Sequence, residues 1–259
     1  MQTSSGKTAS LIEETSQLIT RSSHRVALTG AGLSTPSGIP DFRSTGSGLW
    51  TRYDPLEVAS LSAFRYHPER FFEWLRPLVK NMLTARPNPA HTSLAALEAA
   101  GFLEGVITQN IDTLHQRAGS QRVLEVHGTI ETLTCTGCYQ QIAADQRMLQ
   151  ALIDRGTIPR CPDCGEVLKP DVVLFQEQLP FQTWNQARDL SRTCDLMLVL
   201  GSSLTVTPVS QLPHLAHQHG AELIIINQSP THLDSQARVV IHDDLADVLP
   251  QVQEKVCHD

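Results

Sequence analysis

The sequence has few aromatic residues, no long apolar run and fewer positive than negative charges. Phe, Tyr and Trp make up 5% of its 259 residues, and 20 Lys and Arg stand against 27 Asp and Glu, for a net charge of −7. Its most apolar runs, at 196–200 and 223–226, are far shorter than the roughly 20 residues of a membrane-spanning helix. An acidic balance disfavours binding to nucleic-acid phosphates. Residues 1–7 lack a signal-peptide core. We therefore expect a soluble, cytoplasmic protein with no direct nucleic-acid or membrane binding.

Four of the six cysteines form two C-x-x-C pairs that are 22 residues apart, at Cys135, Cys138, Cys161 and Cys164. This spacing is typical of a zinc ribbon, in which four thiolates complete a tetrahedron. No coordination position stays open, so the zinc is expected to be structural. The alternatives are a redox dithiol and a ribbon that binds nucleic acid. The segment between the two cysteine pairs has few positively charged residues, which disfavours nucleic-acid binding.

Short apolar segments alternate with helical patterns along much of the chain, which predicts an α/β fold with a parallel sheet covered on both faces. We predict strands at 26–30, 105–108, 123–126, 172–175, 195–200, 223–226 and 238–241. We predict helices that begin at Ser10, in a capping box with Glu13, and at 92–100, 183–191, 209–219 and 244–256.

Two segments interrupt this alternation and predict a smaller lobe. Residues 47–90 carry apolar residues at helical spacing, and residues 131–170 carry the cysteines. The predicted organisation is a large domain of residues 1–46, 91–130 and 171–259, with a helical module at 47–90 and a zinc-ribbon module at 131–170.

Polar motifs follow several predicted strands: 30–34, 109–112, His127-Gly128, 201–203 and Asn227. In a parallel sheet they would meet at one edge, where ligands bind. Each has a structural alternative: the glycines suit a packing turn, the Asn and Asp side chains suit turns or helix caps, and the histidine suits a core position. Gly38 follows Gly32 by six residues rather than three, which disfavours a hydride-transfer dehydrogenase.

Taken together and in this order, the motifs resemble those of the sirtuins, the NAD-dependent protein deacylases. They are GAGLSTPSGIPDFRS at 30–44, TQNID at 108–112, VHG at 126–128, the cysteine pairs, GSS at 201–203 and IN at 226–227. The resemblance covers residue 26 to the end. It implies a Rossmann-like parallel sheet domain with a smaller lobe made of a zinc-ribbon module and a helical module. NAD and an acyl-lysine peptide would enter the cleft between them from opposite sides.

The resemblance also implies roles for individual residues. His127 matches the catalytic base, and Asn110 and Asp112 match polar residues of the reaction centre. The positions that match the NAD site are Gly30, Ala31, Gly32, Thr35, Pro40, Asp41, Phe42, Arg43, Gln109, Asn110, Ile111, Asp112, His127, Gly201, Ser202, Ser203, Asn227, Gln228 and Asp243. The positions that match the strand pairing with the substrate backbone are Val173, Leu174, Phe175 and Gln176.

The implied reaction consumes NAD. The acyl oxygen attacks C1′ of the nicotinamide ribose, nicotinamide leaves, and His127 removes a proton from a ribose hydroxyl that then attacks the acyl carbon. The products are free lysine, nicotinamide and O-acyl-ADP-ribose. The alternatives are ADP-ribosyl transfer to protein and a non-catalytic module that binds NAD or ADP-ribose.

Two positions depart from the family pattern. Gln176 stands where sirtuins usually have Gly, which would be costly if the backbone there has positive φ and harmless in a plain strand. Sirtuins that remove acidic acyl groups carry Tyr-x-x-Arg in the helical module, where this chain has Leu75 and Leu78. Acetyl or another neutral acyl group is therefore expected, although Arg76 lies beside them.

Overall fold

The computed structural model describes residues 4–43, 46 and 48–258. The helices are α1 (Ser4–Arg21), α2 (Pro55–Val58), α3 (Leu61–Tyr66), α4 (Pro68–Thr84), α5 (Pro89–Ala99), α6 (Leu114–Ala118), α7 (Gln146–Arg155), α8 (Phe181–Thr193), α9 (Leu212–Gln218) and α10 (Leu245–His258). The strands are β1 (Arg25–Thr29), β2 (Gly105–Thr108), β3 (Val123–Glu125), β4 (Gly128–Cys135), β5 (Gln141–Ala143), β6 (Leu168–Val172), β7 (Leu196–Leu200), β8 (Glu222–Ile226) and β9 (Val239–Ile241). Ser44, the last residue of the glycine-rich motif, lies outside the described residues.

Six strands form one parallel sheet in the order β3-β2-β1-β7-β8-β9. Every residue of the central strand β7 is buried, as its continuous apolar sequence predicts. One face of the sheet packs against α1, α5 and α10, and the other packs against α8 and α9. From β1, the chain adds β2 and β3 on one side and β7, β8 and β9 on the other, so the strand order switches between β1 and β7. The carboxyl ends of these two strands border the crevice in which such folds bind ligands.

A second, antiparallel sheet has the order β5-β4-β6 and carries the cysteines. Its small core joins Leu133 and Leu168 to Cys135 and Cys161. So little apolar surface is a weak source of stability for this segment.

Helices α2, α3 and α4 form the rest of the smaller lobe. The predicted apolar stripe of α4 is confirmed, because Phe71, Leu75, Leu78 and Met82 are all buried. Leu152 of α7 is buried in the same cluster, so the helical and cysteine-bearing segments share one core.

Three predicted boundaries were wrong. Helix α1 begins at Ser4 and not at Ser10, because an existing helix extends at little cost per residue and the single Gly6 does not stop it. Helix α5 begins at Pro89, where Asn88 caps it. The predicted strand at 172–175 is displaced: β6 ends at Val172, and of the residues beyond it only Phe175 forms a bridge, to Ser60. In the described part of the chain, no helix combines the length and apolar character needed to cross a membrane.

Candidate active site

The sequence motifs predicted to meet at the sheet edge do meet there, around a cavity of about 360 Å³. Of the candidate cofactor residues, those that line it are Gly30, Ala31, Gly32, Thr35, Asp41, Phe42, Arg43, Gln109, Asn110, His127, Gly201, Ser202, Ser203, Asn227, Gln228 and Asp243. Pro40, Ile111 and Asp112 line a neighbouring cavity instead.

Backbone-to-backbone contact between two glycine turns shapes the floor of this cavity. A Cβ on Gly30 would lie 2.8 Å from the carbonyl oxygen of Gly201, and one on Gly32 would lie 2.9 Å from the same atom. The Gly32 N–H donates to that oxygen at 2.9 Å. Glycine is therefore required at both positions for packing, and the resulting turn leaves room for a diphosphate near main-chain amides.

Asn110, Ser34 and Asp112 form a buried hydrogen-bond chain. Asn110 Nδ2 donates to Ser34 Oγ at 3.1 Å and to the Gly30 carbonyl at 3.1 Å, and Ser34 Oγ donates to Asp112 Oδ2 at 2.6 Å. Burial raises the pKa of Asp112, while the Ser34 hydroxyl opposes that shift by bonding the carboxylate. No site role was predicted for Ser34, which the sequence presents only as the last residue of the polar motif at 30–34.

His127 lies where the two cavities meet and lines both. Its Nδ1 lies 3.0 Å from the carbonyl oxygen of Gln109, which places the proton on Nδ1 and leaves Nε2 as the basic nitrogen. Burial lowers the pKa of His127, the Gln109 carbonyl opposes this, and the positive charge of Arg43 lowers it further. The imidazole is thus neutral at neutral pH and suited to accept a proton.

The next residue, Gly128, fixes the position of His127. It has φ of 76°, and a Cβ there would overlap the carbonyl oxygen of Asp171 in β6. The carbonyl of His127 accepts a hydrogen bond of 2.8 Å from the N–H of Val173. The base is therefore joined directly to the segment that follows β6.

Two further histidines lie behind the reaction centre. The rings of His91 and His115 are 5.1 Å apart, and His115 Nε2 lies 3.0 Å from Thr29 Oγ1. Burial lowers the pKa of His91 to about 4 and that of His115 to about 3, so both are neutral. Sequence reasoning missed His91, which the sequence presents only as part of a helix start after Asn88.

The second cavity, of about 580 Å³, runs from His127 into the helical lobe. The apolar residues on its helical side are Ile39, Trp50, Trp74, Leu75, Leu78 and Met82. Arg76 bonds the carbonyl oxygens of Ile153 (2.6 Å) and Asp154 (3.2 Å) at the end of α7 and does not line the cavity. Among the described residues, the helical side of this cavity presents no cation, whereas Arg43 lines the cavity outside that side.

Val173, Leu174, Phe175 and Gln176 all line this second cavity. The segment is not a plain strand, because Gln176 has φ of 73°. Gln176 therefore adopts the costly positive-φ conformation and not the plain strand in which a Gln would be harmless.

The four cysteines of the two C-x-x-C pairs converge, with their sulfur atoms all within 4.8 Å of one another. Sγ of Cys135 lies 3.3 Å from that of Cys164, and Sγ of Cys138 lies 3.7 Å from that of Cys161. A tetrahedral zinc site with bonds of about 2.3 Å has sulfur atoms about 3.8 Å apart. Backbone N–H groups of Gly137 and Cys138 point at Cys135 Sγ, as expected for a thiolate ligand. The donor set fits Zn²⁺.

Comparison with known proteins agrees with this geometry. The model of the Sir2 family matches residues 30–208. The chain belongs to the Sir2 family. An Archaeoglobus fulgidus relative named NAD-dependent protein deacylase 2 is 45% identical over 246 residues, which are 95% of this chain and 96% of that one.

Solved Sir2 structures superpose on nearly the whole chain. One described as containing a deacetylated p53 peptide and 3′-O-acetyl ADP-ribose is 39% identical, with a TM-score of 0.88, over 94% of this chain and 98% of that one. Another, bound to a propionylated peptide, has a TM-score of 0.84 at 39% identity over 94% and 98% of the two chains. The Sir2 fold, with its parallel six-stranded sheet and cysteine cluster, confirms the fold class that the sequence predicted.

Proposed function

We propose that this Sir2 protein is an NAD-dependent protein-lysine deacetylase. The observation that carries the proposal is the position of His127 between a polar cavity with a glycine floor and an apolar cavity that extends into the helical lobe. One basic nitrogen can therefore reach groups bound in either cavity. Sir2 structures with a deacetylated peptide and acetyl ADP-ribose support the same reaction.

NAD occupies the polar cavity in this proposal. The main-chain amides of Ala31, Ser202 and Ser203 hold its diphosphate, because those of Gly30, Gly32 and Gly201 donate to backbone carbonyls. Asn110 orients the nicotinamide ribose and is supported through Ser34 by the Asp112 carboxylate. Ser202, Ser203, Asn227 and Asp243 face the adenosine half. Phe42 covers the reacting carbon against water.

The acyl-lysine enters through the apolar cavity, and its peptide backbone lies along Val173–Gln176. The acyl oxygen bonds to C1′ as the C1′–nicotinamide bond breaks. His127 Nε2 then takes the proton of a ribose hydroxyl, whose oxygen attacks the acyl carbon. The bond from the acyl carbon to the lysine nitrogen breaks as that nitrogen takes up a proton. Water then adds to the acyl carbon, and the bond from this carbon to the C1′ oxygen breaks. Lysine amine, nicotinamide and O-acetyl-ADP-ribose are the products.

The wall around Leu75 and Leu78 favours acetyl and other neutral acyl groups. A carboxylate on the acyl chain would be buried against these leucines with no cation on the helical side of the cavity, where Arg43 does not lie, and this is costly.

Cys135, Cys138, Cys161 and Cys164 hold one structural Zn²⁺ in this proposal. We assign residues 1–46, 91–130 and 171–259 to the NAD-binding domain, with modules at 47–90 and 131–170. Thiol ligands persist in a reducing compartment, which supports a cytoplasmic location.

Mass spectrometry of an acetyl-lysine peptide, incubated with the purified protein with and without NAD, tests the proposal. We expect loss of the acetyl group only when NAD is present. Intact peptide together with an ADP-ribose mass added to protein would instead support ADP-ribosyl transfer.

A further inference from the structure

The segment Val173–Gln176, which lines the apolar cavity, contains a strained turn. The N–H of Glu177 donates to the carbonyl oxygen of Leu174 at 3.0 Å and closes the turn, and its third residue, Gln176, has φ of 73°. Type II turns require positive φ at this place and favour glycine. A glutamine is strained here, so another interaction must compensate for it.

The side chain of Gln176 reaches the helical lobe. Its Oε1 accepts a hydrogen bond of 3.2 Å from the N–H of Ser62, in the first turn of α3. The preceding N–H, of Leu61, donates to the carbonyl oxygen of Phe175 at 2.9 Å. The N–H groups at the start of a helix lack partners within the helix, and here the turn supplies two of the acceptors.

The opposite end of the turn is held independently. Glu177 Oε2 lies 2.9 Å from Nζ of Lys169 in β6, and both side chains are largely buried. The N–H of Phe175 also donates to the carbonyl oxygen of Ala59 at 3.0 Å. The turn should therefore persist when the bond from Gln176 is removed, although its link to α3 would be weaker.

We infer that Gln176 is a positioning residue that fixes the peptide-facing turn against α3 through its side-chain amide. The inference rests on the proposed function, since it takes the turn to be the edge along which the acyl-lysine peptide binds. Glycine at this position would relieve the strain but leave the turn less ordered before the peptide arrives. Preorganisation of a binding segment improves affinity because less conformational freedom is lost on binding.

Three substitutions separate the hydrogen bond from the strain. Gln176→Met keeps the length and the strain but lacks the oxygen acceptor. Gln176→Gly lacks the acceptor and removes the strain. Gln176→Glu keeps an acceptor for the Ser62 N–H. Gln150→Ala is the matched control, since Gln150 is an exposed glutamine that makes one bond, to Asp154, and lies outside both cavities.

The experiment measures kcat and KM for an acetyl-lysine peptide, KM for NAD, the melting temperature and hydrogen exchange at the Ser62 amide. We expect Gln176→Met and Gln176→Gly to raise KM for the peptide about three- to tenfold, the range of one net hydrogen bond, with kcat and KM for NAD within about twofold. Exchange at Ser62 should be about tenfold faster in both. Gln176→Glu should keep exchange at Ser62 as slow as in the wild-type chain, because its carboxylate still accepts that bond. Gln150→Ala should match the wild-type chain in all of these quantities.

A merely structural role predicts a different pattern. If Gln176 were only structural, KM would follow the melting temperature. The positioning role predicts instead that Gln176→Gly melts no lower than Gln176→Met, because glycine tolerates positive φ, and that both variants raise KM alike. A KM that rises only in the less stable variant, or a KM unchanged in both, overturns the inference. Unchanged exchange at Ser62 overturns it without reference to activity, whereas a wild-type chain that does not deacetylate with NAD refutes the proposed function itself.

Discussion

The Nδ1 atom of His127 lies 3.0 Å from the carbonyl oxygen of Gln109, the first residue after β2. The strand that places Gln109 and Asn110 against the glycine turns thus also sets the tautomer and orientation of the histidine. His127 and the Asn110 amide are both held by the backbone segment that follows β2, so the end of this strand sets their relative position.

Replacement of His127 by Ala should lower kcat by about 10²- to 10⁴-fold, because a positioned general base contributes on that scale. Binding of NAD should change less than about threefold, since the glycine turns and Asn110 are intact. His214→Ala, an exposed histidine on α9, is the control. Steady-state kinetics and calorimetric NAD binding check this, and an unchanged kcat would remove His127 from the mechanism.

The pH dependence should reflect the lowered pKa of His127. The base acts in its deprotonated form, so kcat/KM should rise with pH through a pKa below the ordinary 6.5 and then level off. Arg43→Met removes one positive charge that lowers this pKa and should move the acidic limb to higher pH. Titration of the His127 ring by NMR measures the same pKa without turnover; a shift to lower pH in the variant would contradict the assignment.

Much of this site could be predicted from residues with local signals. The apolar run in β7, the cysteine spacing and the order of the glycine, Asn and His motifs each need only sequence information. The histidine pair of His91 and His115 could not, because their contact joins α5 to α6 and depends on how those helices pack. The apolar run from Val172 to Phe175 predicts a strand, but beyond Val172 the chain instead turns, where Phe175 bonds to Ala59 and Leu61.

The buried pair of His91 and His115 should make stability fall in acid. In the unfolded chain each of the two imidazole rings takes up a proton near pH 6.5. In the folded chain burial lowers the pKa of His91 to about 4 and that of His115 to about 3. The stabilisation is therefore complete above pH 6.5, and it is lost as the pH falls toward 4 for His91 and toward 3 for His115, by about 1.4 kcal/mol per pH unit for each histidine. Urea denaturation at pH 7, 6 and 5 should show a shallower decline in His115→Gln than in the exposed control His219→Gln. Equal slopes would contradict it.

Loss of the zinc should unfold the cysteine-bearing module and lower the melting temperature. The small core around Leu133 and Leu168 cannot replace the metal, so Cys164→Ser should cost several kcal/mol, about 10 °C for a chain of this size. Elemental analysis should give one zinc per wild-type chain and less in the variant. Cys257→Ser, outside the cluster, is the control and should keep the full zinc content.

The apolar wall should be convertible to one that accepts an acidic acyl group. Introducing Leu75→Tyr together with Leu78→Arg supplies a cation and a hydroxyl for the acyl carboxylate. Charge-assisted hydrogen bonds from these two side chains to the acyl carboxylate should raise kcat/KM for a succinyl-lysine peptide at least about tenfold. The value of kcat/KM for the acetyl peptide should fall. Leu78→Met, which conserves volume, should keep the acetyl preference; if the double variant gains no succinyl activity, these side chains do not select the acyl group.

The most direct test of the account is a single quenched time course that quantifies nicotinamide, deacetylated peptide and O-acetyl-ADP-ribose from the same reaction. A site in which His127 serves both cavities predicts that the three products appear at equal rates in a ratio of about 1:1:1. Nicotinamide released in excess of deacetylated peptide, or deacetylation without O-acetyl-ADP-ribose, would show that the two cavities do not act in one reaction and would contradict the proposed function.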